Sequence, residues 1–124
     1  MKLKKLINAI ISAINYLENS KESLMRGDEE SVRSYVWRAS ADSEYALFLF
    51  SLMHRKELED SSWKTNFRME KGEIRPTLAF AQDLLKEAKE SIKANDYNKA
   101  HKKTWIARGC LLKIQHVFEK RPLP

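Results

Sequence analysis

The stretch that decides the fold is Ala46-Leu47-Phe48-Leu49-Phe50-Ser51-Leu52-Met53, the end of a long segment that starts at Glu29. A strand this apolar would be bounded by turn residues, but no Gly or Pro falls between Asp28 and Arg55. Upstream the spacing is that of a helix: Val32, Val36, Ala39, Ser43, Ala46, Phe50 and Met53 recur every three or four residues. The segment therefore reads as one helix over about 29–55, apolar on nearly every side in its second half. Such a helix is expected at the centre of a domain. The cluster Ala39-Ser40-Ala41 would let a neighbouring helix come close.

Working outward, three further segments carry the same spacing. The first reads Leu3, Ile7, Ile10, Ile14, Leu17 and Leu24, then stops at Gly27, which suits a left-handed helix end. Asp28 follows as an N-cap, with Glu29 and Glu30 at the positive end of the next helix. The third begins near Pro76, tolerated in a first turn, and continues as Leu78, Ala81, Leu85, Ala88 and Ile92. After the Asn95-Asp96 break the fourth reads Tyr97, Ala100, Thr104, Ala107, Leu111, Ile114 and Phe118. Residues 56–75 are irregular and charged, with Trp63, Phe67 and Met69, and suggest a short helix over Ser61–Met69. The expected fold is all-α: an antiparallel, up-and-down four-helix bundle with an extra short helix or ordered loop between helices 2 and 3. All 124 residues are expected to form a single domain.

Composition narrows the function classes. One cysteine, Cys110, excludes an internal disulfide and suits a reducing compartment. No apolar run approaches the ~18 residues of a membrane span, and Asn8 and Asn15 interrupt the only stretch that looks like a secretion signal. Lys2, Lys4 and Lys5 precede an amphipathic stretch that could lie on a membrane, but its apolar stripe is what a bundle core needs. A cytoplasmic protein without membrane partners is expected. Abundant Lys, Glu and Ile with two glutamines point to a thermophilic source.

No catalytic or metal motif is complete. None of His54, His101 and His116 follows a Glu at the spacing a di-metal bundle uses, and no cofactor is expected. Neither His101 nor His116 shares a helix face with Cys110, so the thiol lacks a general base on its own helix. Arg38 and Asp42, four apart, are expected to form a surface ion pair. Trp37 is expected against the irregular segment.

The helical pattern of a small basic bundle resembles in general terms the HEPN group, four-helix domains that include RNA-cleaving toxins. That resemblance would imply a nuclease, but the group's Arg-to-His signature is shorter than the seven residues between Arg108 and His116. The activity is not carried over and stands only as a remote alternative. The turn Asn95-Asp96-Tyr97-Asn98-Lys99-Ala100 is similar to a tetratricopeptide hairpin; it is read as occurring once, whereas a solenoid needs about three repeats.

The last helix carries the charge. From Tyr97 to Arg121 there are seven basic residues against one acid, equal to the +6 of the whole chain. Lys99, Lys102, Lys103, Arg108, Lys113 and Lys120 are candidate nucleic-acid contacts. Trp105, Ile106, Gly109 and Leu112 form a candidate partner surface, unless residues 56–75 cover it. The expectation is a non-enzymatic interaction protein, adaptor or small subunit that uses this face for a protein partner or a homodimer. The alternative is an RNA- or DNA-binding accessory protein using the same face.

Overall fold

The computed structural model describes residues 2–53 and 73–120. Four helices account for nearly all of them: α1 Lys2–Met25, α2 Glu29–Met53, α3 Ile74–Lys93 and α4 Tyr97–Lys120. No strand occurs among the described residues, and no helix of theirs is long and apolar enough to cross a membrane. The short helix expected over Ser61–Met69, the cover that residues 56–75 were to give the Trp105 edge, and His54 all fall on 54–72 and lie outside the described residues.

The helices form a ring in the order α1, α2, α4, α3, and the diagonal pairs barely touch. An up-and-down bundle would instead place α2 beside α3, so that expectation is corrected. Contacts fix the directions. Arg33 meets Phe118, Glu44 meets Arg108 and Phe50 meets His101, so numbers rise along α2 as they fall along α4. On the opposite side Gln82 bonds to the Ile14 carbonyl, while Arg75 and Ala79 share a cleft with Leu24 and Met25. Met53 therefore ends α2 at the Asn95 end of the bundle, and Ile74 starts α3 at the Gly27 end.

Both tight turns are built alike. Asp28 N–H bonds to the Ser23 carbonyl at 2.9 Å and Gly27 N–H to that of Leu24 at 3.1 Å. In the second turn Asp96 N–H bonds to the Ser91 carbonyl at 2.8 Å and Asn95 N–H to that of Ile92 at 3.0 Å. These bonds satisfy the last helix carbonyls and need a left-handed residue, supplied by Gly27 (φ 75°) and Asn95 (φ 63°). Asp28 and Asp96 then cap the following helices by accepting from the N–H of Ser31 and Lys99. The hydrogen bonds from the Ser31 hydroxyl and backbone hold the Asp28 carboxyl below its ordinary range.

The likeness extends through the hairpins at a constant offset of 68 residues. Buried Leu6, Ala9, Ile10, Ala13, Leu17, Ser20 and Ser23 correspond to buried Ile74, Thr77, Leu78, Ala81, Leu85, Ala88 and Ser91. Buried Val32, Val36, Ala39, Ser43, Ala46 and Phe50 correspond to Ala100, Thr104, Ala107, Leu111, Ile114 and Phe118. Contacts between hairpins obey the same relation. Phe50 stacks on His101 with centroids 5.1 Å apart, and at the equivalent place Arg33 lies 5.0 Å from the Phe118 centroid. Gln82, the equivalent of Ile14, touches its own counterpart. The bundle is thus two equivalent helical hairpins related by an approximate two-fold axis. The turn read from sequence as occurring once occurs twice.

The apolar seams of α3 and α4 are buried as expected, apart from a partly buried Tyr97, and so is that of α2 up to a half-buried Met53. Two expectations fail. In α1 the expected Ile10 and Leu17 are buried, in a line with Leu6, Ala9, Ala13, Ser20 and Ser23, but Leu3 is exposed, and Ile7, Ile14 and Leu24 are only partly buried. Small residues on the line let a neighbouring helix approach, and Ile7 and Ile14 then sit at its edge while Ile10 stays within it. The second half of α2 is not buried all round, because Phe48 and Leu52 point outward. Buried hydroxyls of Ser43 and Thr104 bond back to the carbonyls four residues earlier.

Candidate interaction face

The outward side of α2 carries Trp37, Ala41, Tyr45, Phe48 and Leu52. At 100° per residue they fall within an arc of about 80°, opposite the buried seam. The large ones are 64%, 44%, 57% and 40% exposed, in chain order. Isolated exposed apolar residues are ordinary, whereas an aromatic row along one helix face is not. The sequence signal for it was present in the apolar run of 46–53, which was read as core.

The adjoining edge of α4 completes this side. Arg108 donates from Nη1 to Glu44 Oε1 at 2.8 Å, and its guanidinium carbon stands 5.9 Å from the Trp105 ring centroid. That clasp places half-buried Trp105 beside α2 on the same side as Phe48, one turn beyond Glu44. Leu112, 43% exposed, lies one turn from Arg108 on the same edge. Gly109 sits between them, and a Cβ built on it would meet nothing within 4 Å. Trp105 and Gly109 are the equivalents of Trp37 and Ala41, so both halves present a tryptophan and, four residues on, a small residue.

Ile106 does not belong to this edge. It packs against the core, which corrects its expected outward placement. The six candidate cations also divide. Lys103 is 3.1 Å from Glu87 of α3 and Arg108 is held by Glu44, while Lys99, Lys102, Lys113 and Lys120 are exposed. Lys86, Lys99 and Lys103 share a groove of about 430 Å³ with Glu87, Glu90 and Asp96, so its charge alternates in sign. A polyanion site would need one sign.

The expected Arg38–Asp42 pair is absent. Arg38 lies over the Tyr16 ring at 5.8 Å, and Oδ2 of Asp42 is buried without a hydrogen-bond partner among the described residues. Trp37 is exposed, and the irregular segment expected to pack against it falls on 54–72, outside the described residues. Arg108 and His116, the nearest approach to a nuclease pair, are engaged separately, the first with Glu44 and the second 3.7 Å from Glu119. Cys110 is fully buried, and burial pushes its thiol up to about 11 against the weaker pull of the Lys113 charge. A thiol held neutral is a poor nucleophile. Among the described residues no group of three His, Cys, Asp or Glu could hold a metal ion.

No protein-family model, curated protein or solved structure matches the chain.

Proposed function

We propose that the protein is a non-enzymatic interaction protein, an adaptor or small subunit, that docks through the side of the bundle formed by α2 and the Trp105 edge of α4. The exposed row Trp37, Tyr45, Phe48 and Leu52 carries this reading, because large aromatics on one helix face suit the centre of an interface. The row extends the surface suggested by Trp105, Gly109 and Leu112 on to a second helix. At native abundance the chain should migrate in lysate as an assembly larger than its 14.5 kDa. Phe48→Glu, at an exposed position, should release it as a folded monomer. A wild-type chain that migrates at its own mass in lysate refutes the reading.

A second reading rests on the exposed lysines Lys99, Lys102, Lys113 and Lys120. If they meet phosphates, RNA or DNA should shift the protein in a gel at low salt and release it as salt rises. The assembly in lysate should then collapse on nuclease treatment.

A further inference from the structure

The two halves of this face share a backbone and differ in surface. Where α2 presents Ser34, Tyr45 and Leu52, the equivalent positions of α4 are Lys102, Lys113 and Lys120. Within the described helices α2 carries two basic residues against four acids, and α4 six against one. Equivalent helices of opposite net charge make the face complementary to itself, provided that unlike helices meet. We propose that it docks on the same face of a second copy of this chain, α2 of each protomer lying along α4 of the other. This rests on the docking reading above and names the partner.

Charge selects that pairing from the two that the equivalent backbones allow. Setting α4 on α4 would oppose the lysine rows to each other, and α2 on α2 would oppose Glu30 and Glu44. Crossing them instead sets Glu30 against Lys120 and keeps the lysine rows apart, and like charges in an interface are strongly disfavoured. The register follows from the fold. Across α2 and α4 within one chain, level residues have numbers that sum to 151 or 152, as Arg33–Phe118, Glu44–Arg108 and Phe50–His101 do. A two-fold axis along the bundle keeps the same levels between protomers. To within two residues of that level, Phe48 then meets the second copy's Trp105, Tyr45 stands over the open surface at Gly109, Ala41 meets Leu112, and Glu30 faces Lys120. The dimer is closed, with each contact made twice.

The test is the mass of the purified chain by light scattering, with and without substitutions on this face. Wild type should give twice 14.5 kDa and Phe48→Glu a folded single chain. Glu30→Lys and Lys120→Glu should each weaken the dimer about fivefold, and the two together should restore it. Pairing is read by oxidation in a Cys110→Ala background. Ala41→Cys protein should cross-link to Leu112→Cys protein and not to itself. Cross-linking of Ala41→Cys to itself overturns the crossed arrangement. A purified monomer beside a larger assembly in lysate overturns the second copy as occupant and leaves the docking face standing. A monomer in both overturns both.

Discussion

The thiol of Cys110 offers a quantitative check on how tightly α4 is seated. Its side chain has no exposed surface, and burial moves its pKa from an ordinary 9.0 to about 11. Burial raises a thiol because the thiolate loses its hydration, so the folded state binds the proton more tightly than the unfolded one. The linked stability is fully present below about pH 9 and is lost as pH rises towards 11, where the unfolded chain ionises first. Each tenfold change in acidity constant is worth about 1.4 kcal/mol, so the loss across that window is about 2–3 kcal/mol. Cys110→Ala is the control that retains every other ionisable group. Urea unfolding at several pH values, followed by circular dichroism, gives both curves. The gap between wild type and Cys110→Ala should be constant below pH 8 and then shrink by about 1–1.4 kcal/mol per unit. Parallel curves from pH 8 to 11 would refute the seating of α4 described above. A disulfide reagent reacting with native protein as fast as with a free thiol would contradict it as well.

Two further outcomes test the phase of α2. Phe50→Ala removes a fully buried ring stacked on His101 and should cost about 3–5 kcal/mol in chemical denaturation, whereas Phe48→Ala in the isolated chain should cost no more than about 0.5. Equal costs would place the wrong face outward. Asp42→Ala removes a carboxylate whose Oδ2 is buried and unpaired, and alanine is the better helix former, so the variant should gain about 1–2 kcal/mol and melt a few degrees higher. A loss of stability would show that this oxygen is satisfied.

Helix identity is legible because α2, α3 and α4 each carry a seam of residues three or four apart, marked off by Gly27, by Pro76 in a first turn and by Asn95-Asp96. The phase of α1 is only partly legible: Ile10 and Leu17 are buried as their size suggests, whereas Leu6, Ala9, Ala13 and Ser20 complete the buried line and Ile7 and Ile14 stand at its edge. The basic face of α4 was visible as charge, and its Trp105 edge as an excess of apolar positions. The larger face on α2 was hidden by its own hydrophobicity, since an unbroken apolar run looks the same whether it is covered by one neighbour or by several. The equivalence of the two hairpins is hidden for a different reason. Only scattered identities survive, such as Lys21-Glu22-Ser23 with Lys89-Glu90-Ser91, and Trp37 with Trp105. Gly27 and Asn95 do the same backbone work with different letters, and buried positions keep their burial while changing size, as Ser43 and Leu111 do.

The approximate two-fold axis makes the order of the hairpins along the chain interchangeable. Met53 and Glu73 stand at opposite ends of the bundle, and by the same symmetry so do Lys120 and Lys2. A chain opened between the first pair and closed across the second by a link of similar length would trace the same four helices, with the second hairpin now translated first. The covalent path through this bundle is therefore one of two equivalent solutions to a single packing problem. Its halves share one core cluster and differ both in buried size, as Ser43 and Leu111 do, and in the charge of their outer sides.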